Sequence, residues 1–140
     1  MDNISRYKIL LEDILERELI KSDGLSENEI EKSVNNLNIR IPKALEDYYI
    51  SAGNINEINE YHNIIYRPEE LRLTTGKLIF AEENQQVCFW GIDLRDLGLE
   101  DPLVYQGQID ENEIFEWYSE DMKLTQFIIE MLRWEFFEME

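Results

Sequence analysis

The chain has 140 residues, of which 44% are hydrophobic and 11% aromatic, and its formal net charge is −18. A chain of this length can form a single domain with its own core, here over residues 1–140, and the hydrophobic fraction argues against disorder. No apolar stretch approaches the roughly 20 residues that span a bilayer, and Met1–Ile4 lacks the features of a signal peptide. The single cysteine, Cys88, excludes an internal disulfide, so we expect the chain to stay in a reducing cytoplasm.

The acidic residues are concentrated in the second half of the sequence. Residues 1–77 hold ten Lys and Arg against fifteen Asp and Glu, whereas residues 78–140 hold three against sixteen, so the two parts carry −5 and −13. This negative charge repels nucleic acids and anionic membrane surfaces and attracts basic proteins. We therefore expect a basic protein partner, with no nucleic acid and no membrane among the partners.

Two helices are predicted at the start of the chain. Apolar residues at spacings of three and four predict a helix over residues 5–20, and Gly24 follows it as a terminating residue. Ser26 with Glu29 three positions later is a capping-box pattern, which predicts the start of a second helix. The apolar positions on which these predictions depend are Tyr7, Leu11, Ile14, Leu15 and Leu19 in the first helix and Ile30, Val34 and Leu37 in the second.

The next segment contains a third helix and two weaker signals. Pro42 is suited to the first helical position, and Gly53 is expected to end this helix in a left-handed conformation. Residues 63–66 favour a short strand, and the segment 68–71 favours one helical turn begun by proline. The buried face of the third helix is expected to consist of Leu45, Tyr48 and Tyr49.

A run of strands and a last helix are predicted in the second half. The strands are expected at residues 77–81, 86–92, 103–105 and 114–118, with a turn-rich connection over 107–112. The apolar positions of the last helix are Leu124, Phe127, Ile128, Met131, Leu132, Trp134, Phe136 and Phe137. Helices that bracket consecutive strands predict an α+β domain with a mainly antiparallel twisted sheet and helices from both termini packed around it.

Several short motifs occur in a fixed order along the chain. They are Ile41–Tyr49 followed by Gly53, an acidic hairpin Glu82–Gln85, a strand with a central Trp90, a strand opening Asp101–Val104, a later strand closed by Trp117, and Leu124–Phe127 at the last helix. Over roughly residues 25 to 138 this ordered set resembles the SUKH superfamily, named for Smi/Knr-type cell-wall regulators and their bacterial relatives. The resemblance implies a small antiparallel α+β domain with a cleft for partner binding.

The same resemblance implies a function. The most populated role among similar bacterial chains is that of an immunity protein, which binds and neutralises a polymorphic or contact-dependent toxin, frequently a nuclease, in the cytoplasm. Neutralisation would occur by occlusion, with the chain acting as a monomer or weak dimer. The alternatives are a regulatory or scaffold module of the Smi/Knr type, which also binds proteins without catalysis, and an enzyme that uses paired carboxylates.

No catalytic set is recognisable in the sequence. His62 is the only histidine and lies in a loop-like segment, where we expect an exposed imidazole. Cys88 alternates with Trp90 in an apolar strand and is expected to be a small buried hydrophobe. The acidic run 110–113 lacks the spaced ligands and central glycine of a calcium loop. We expect no catalytic residue, no metal site and no cofactor.

Candidate partner-binding residues follow from charge and loop position, not from a family motif. Two of them are acids of the predicted hairpin, and three are acids of the loop that precedes the predicted strand 114–118. The sixth is an aromatic residue that could anchor a partner, although Trp90 and Trp117 fit core or rim packing better. The six candidates are Glu82, Glu83, Asp110, Glu111, Glu113 and Trp117.

Overall fold

A six-stranded antiparallel sheet with five α-helices forms an α+β fold in the computed structural model, which describes residues 1–138. The last two residues of the predicted 1–140 domain lie outside the described residues. The helices are α1 (Asn3–Leu15), α2 (Glu27–Val34), α3 (Lys43–Ala52), α4 (Asn56–Asn59) and α5 (Leu124–Arg133), and a π-helical turn (Trp134–Glu138) follows α5. The strands are β1 (Asn63–Ile65), β2 (Arg72–Thr74), β3 (Lys77–Glu83), β4 (Cys88–Asp93), β5 (Leu103–Ile109) and β6 (Phe115–Lys123). Within residues 1–138, no helix is both long enough and apolar enough to cross a bilayer.

The strand order places two hairpins at the same end of the sheet. The order is β1-β3-β4-β5-β6, with β2 also paired to β3, and every pairing is antiparallel. Because β3 and β5 run in one direction and β4 and β6 in the other, the connections 84–87 and 110–114 emerge side by side. We call this edge of the sheet the hairpin end.

The end of α1 differs from the prediction. The helix stops at Leu15, not at residue 20, because Glu16 takes a left-handed conformation with φ of 56°. The carboxylate of Glu12 then accepts the backbone N–H of Leu19 at 2.7 Å, and that of Asp23 accepts the N–H of Ile20 at 2.8 Å. Side-chain oxygens thus replace the helical carbonyls as hydrogen-bond acceptors for this segment.

The boundaries of α2 and α3 follow local signals. The capping box is confirmed, since the hydroxyl of Ser26 accepts the N–H of Glu29 and the Glu29 carboxylate accepts the N–H of Ser26, both at 3.1 Å. Pro42 is the residue before the first residue of α3. The left-handed Gly53 was a wrong prediction, because its φ is −59°. Glycine is required there for space, since a Cβ atom would lie 2.6 Å from the side chain of Leu25.

The short strand and the proline-initiated turn before the sheet are confirmed as β1 and the 3₁₀ turn Pro68–Glu70. The predicted strands are also confirmed, but β2 was not predicted, and β5 continues through residue 109 instead of turning at 107. Gly107 lies in the strand opposite Trp117, where an added Cβ would be 2.5 Å from the indole ring. The glycine therefore makes room for the ring and does not form a turn.

The two faces of the sheet are covered differently. On the inner face, Trp90 packs against Phe127 of α5 with ring centroids 5.5 Å apart. On the outer face, the ring centroid of Phe115 on β6 lies 5.6 Å from that of Phe89 on β4, with β5 between the two strands, and 5.1 Å from that of Trp117 on its own strand. The helices and the inner face therefore enclose most of the core, and Phe115 and Trp117 pack against it from the outer face.

Candidate functional site

A cleft with a volume of about 330 Å³ opens on the inner face at the hairpin end of the sheet. It lies between the sheet and the C-terminal part of α5. Its lining contains two glutamates and no lysine or arginine within the described part of the chain. The residues that matter for its chemistry are His62, Glu83, Trp90, Phe127, Glu130 and Trp134. We call this feature the hairpin-end cleft.

One wall of the cleft is the indole of Trp90. Alternation along β4 directs this ring to the inner face, where it is only 8% exposed. Its Nε1–H donates to the carboxylate of Glu120 on β6 at 2.8 Å. The hydrogen bond fixes the indole and holds a carboxylate beside it.

The opposite wall is formed by Trp134 and His62. Trp134 is the first residue of the π-helical turn, and its side chain is 43% exposed. The imidazole of His62 packs edge-on against this indole with centroids 5.5 Å apart. His62 is half-buried, so the expectation of a solvent-exposed loop histidine is wrong. Its contact with Trp134 supplies the burial that the sequence did not indicate.

Glu135 attaches the π-helical turn to the sheet. Its side chain is 3% exposed, and its Oε1 accepts the backbone N–H of Asn63 in β1 at 2.8 Å. Burial raises the pKa of the Glu135 carboxyl to about 7, and the hydrogen bonds from Asn63 oppose part of this shift. Because Glu135 follows Trp134 and Asn63 follows His62, this contact also sets the position of one cleft wall.

The two acids predicted on the first hairpin lie in different surroundings. Glu82 is buried, and its carboxylate accepts a hydrogen bond from the Tyr66 hydroxyl at 2.8 Å. The prediction that Glu82 lies on the hairpin surface is therefore wrong. Glu83, the next residue of β3, is half-buried and lines the hairpin-end cleft. Alternation of side chains along the strand separates the two carboxylates, and only Glu83 belongs to the cleft.

The three acids predicted on the second loop are exposed at the tip of the β5–β6 hairpin. The carboxylate of Asp110 shapes this tip by accepting the backbone N–H groups of Asn112 at 2.8 Å and Ile114 at 3.0 Å. Glu111 and Glu113 project from the same turn and make none of the side-chain hydrogen bonds found within residues 1–138. The structure thus brings Asp110, Glu111 and Glu113 to the same end of the sheet as Glu83.

Trp117 lies on the outer face, away from the cleft. Its ring stacks on Phe115 with an interplanar angle of 16°, and the Lys77 ammonium lies 5.4 Å from its centroid. The side chain is half-buried over Gly107. Its use as a partner anchor stays a prediction, but this indole does not form part of the same site as Glu83.

The other candidate groups fit structural roles. Cys88 is half-buried, and burial together with the nearby carboxylates of Glu83 and Glu120 raises the pKa of its thiol to about 12. The thiol is therefore protonated at neutral pH and is a poor nucleophile. Within residues 1–138, no group of three or more His, Cys, Asp or Glu side chains is arranged to hold a metal ion.

The cleft was not predicted because its walls come from distant segments. His62 precedes β1, Trp90 belongs to β4, and Trp134 follows α5. The local signal that the sequence offered there was Glu135, an acid that stands between the apolar residues Trp134 and Phe136 of the predicted last helix. Comparisons with protein-family models, with curated proteins and with solved structures found no match for this chain.

Proposed function

We propose that this chain is a cytoplasmic immunity protein that binds a basic toxin at its hairpin end and neutralises it by occlusion. The observation that carries the proposal is that a cleft lined by aromatic residues and glutamates lies at the same end of the sheet as the exposed acids of the β5–β6 tip. The segment from residue 96 to residue 122 contains nine Asp and Glu and no Lys, Arg or His, and it includes the exposed hairpin tip.

The charge of this region supports a basic partner. All five ion pairs found in residues 1–138 involve Asp23, Asp47, Glu69 or Asp93, and none involves an acid of the cleft or the hairpin tip. Exposed acids without counter-charges accelerate the encounter with a cationic surface, and the effect weakens as salt is added.

The cleft supplies the second requirement of a stable complex. Interfaces derive much of their affinity from a few aromatic residues that are removed from water on binding, while surrounding charges mainly set the association rate. Trp134, which is 43% exposed, provides such aromatic surface, and the largely buried Trp90 forms a fixed wall behind it. Glu83 and the tip acids provide the charged surroundings. Occlusion needs only this surface and no catalytic group on the chain.

The first test is protection in cells. The gene next to this one is read first, because the proposal expects it to encode a long protein with a variable C-terminal toxin domain. The chain is then co-expressed with that domain, and growth is compared with cells that carry the domain alone. We expect restored growth and a stable complex of the two purified proteins. Growth that stays inhibited although both proteins are produced would contradict the proposal, and binding without protection would favour the scaffold alternative.

A second test locates the surface. Replacing Glu83, Glu111 and Glu113 by lysine should slow association with the toxin domain about tenfold or more at low salt. The matched control reverses three exposed acids of the first half, so the net charge changes equally; these are Glu18, Glu31 and Glu57. We omit Asp110 and Glu82 because their carboxylates hold the hairpin tip and a buried hydrogen bond. Equal slowing in both triple variants would show that only total charge matters.

A further inference from the structure

The outer face of the sheet shows how this protein combines aromatic rings with cations. The ammonium of Lys77 lies 5.0 Å from the ring centroid of Tyr105, 5.4 Å from that of Trp117 and 3.9 Å from the carboxylate of Asp93. Arg72 lies over the ring of Phe89 at 5.2 Å. The chain's own cations therefore lie over three aromatic rings of this face, with a carboxylate beside Lys77.

The hairpin-end cleft has the same components without the cation. It is lined by the indoles of Trp134, which is 43% exposed, and Trp90, which is 8% exposed, together with Glu83 and Glu130. Among residues 1–138, no Lys or Arg lies over these two rings or forms an ion pair with these two acids. A cation from another molecule would complete the arrangement.

We propose that the hairpin-end cleft binds an arginine side chain of the basic partner. This inference rests on the proposed function and specifies the chemical group that the partner inserts. A guanidinium is planar and more weakly hydrated than an ammonium, so it stacks on an indole at a smaller desolvation cost. Its several N–H donors can bond to more than one carboxylate, which suits the two glutamates of the lining.

The shape of the cleft also suits arginine. A volume of about 330 Å³ holds one long side chain. Phe127 and Met131 provide apolar surface for the methylene stem, while the carboxylates are available to the charged head. The carboxylate of Glu120 is already engaged by Trp90, so it fixes the wall and adds negative charge nearby.

The experiment uses short peptides and the three tryptophans of the chain as reporters. The intact protein is titrated with Ac-Gly-Arg-Gly-NH₂, and the indole N–H resonances are followed by NMR. We expect the resonances of Trp90 and Trp134 to shift and that of Trp117, on the outer face, to stay in place. The peptide with citrulline in place of arginine has nearly the same shape without the charge, and it should bind at least about tenfold more weakly. The lysine peptide should also bind more weakly than the arginine peptide.

Isosteric variants test the carboxylates. Changing Glu83 and Glu130 to glutamine should weaken binding of the arginine peptide about tenfold or more. The same change at Glu31 and Glu57, which are exposed elsewhere, should leave binding unchanged. Unaltered indole resonances in the free variants would show that the fold is kept.

Several results would overturn the inference. The citrulline peptide or the lysine peptide would bind as tightly as the arginine peptide does, or only the indole N–H resonance of Trp117 would shift; each of these results contradicts the assignment. Failure of this inference is distinct from failure of the proposed function. Protection from the toxin without arginine binding would refute only the arginine assignment, whereas arginine binding without protection would refute only the immunity role.

Discussion

Replacing Glu135 by glutamine should stabilise the protein above pH 7 and have little effect at low pH. Glu135 is 3% exposed, and the pKa of its carboxyl is raised from an ordinary 4.5 to about 7. In the unfolded chain the group ionises near its ordinary pKa, so between these two values the folded protein binds more protons than the unfolded one. Its stability therefore falls as pH rises through this window, and the reduction is complete above pH 7.

The size of the effect follows from the shift. Each pKa unit corresponds to about 1.4 kcal/mol, so a shift from 4.5 to about 7 corresponds to about 3 kcal/mol of unfolding free energy. Glutamine keeps a carbonyl oxygen that can accept the N–H of Asn63, and it does not ionise. The variant should therefore gain stability relative to the wild type as pH rises, by about 3 kcal/mol between pH 4.5 and pH 8.

Urea unfolding followed by tryptophan fluorescence at constant ionic strength measures this difference. Titration of the many other acids changes the unfolding free energy of both proteins equally, so it cancels in the difference between them. Glu130→Gln is the matched control, because it removes one charge from an exposed position on the preceding helix. A difference between Glu135→Gln and wild type that stays constant from pH 4.5 to 8 would refute the reasoning, since it would mean that burial does not perturb this carboxyl.

Three further predictions follow from the structure. Gly107→Ala should destabilise the protein by about 2 kcal/mol in urea unfolding, because the added Cβ would lie 2.5 Å from the Trp117 ring. The control Gly98→Ala has open space around it and should change the unfolding free energy by less than about 0.5 kcal/mol. Equal effects of the two substitutions would contradict the packing of Trp117 on Gly107. Raising the salt concentration to about 0.15 M should raise the Tm by screening repulsion among the acids, and a flat or falling Tm would mean that the acids already have counter-ions. Under the proposed function, Cys88→Ala should leave protection from the toxin unchanged, because the thiol is protonated at neutral pH. Loss of protection at unchanged Tm would show that the sulfur takes part.

The parts of the fold that could be predicted from sequence depend on local interactions. The Ser26–Glu29 capping box and the proline-initiated turn at Pro68 are both confirmed because their hydrogen bonds join residues close in the chain. Strand β2 was missed because its three residues are exposed or half-buried and show no alternation. The end of α1 was missed because periodicity does not report the hydrogen bond from Leu19 to Glu12.

The site was harder to predict because it depends on which residues become neighbours. Charge and loop position identified Glu83 and the acids of the β5–β6 tip, which do lie at one end of the sheet. Glu82 has the same local signal, but the hydroxyl of Tyr66 reaches it from a segment outside the hairpin. The pairing of His62 with Trp134 depends on how the π-helical turn packs on β1, and no spacing in the sequence encodes it.

The distribution of charge connects stability to the proposed function. The chain can pair its acids with cations, as Asp23 does with Arg17 at 2.9 Å and Asp93 with Arg95 at 2.9 Å. The acids of the cleft and the hairpin tip have no such pairs within residues 1–138, and their mutual repulsion opposes the compact state. A basic partner would remove this repulsion when it binds, so the same charges that reduce the stability of the free protein increase the stability of the complex. Acids that lower the stability of the free protein are therefore expected at positions where binding of a partner requires them.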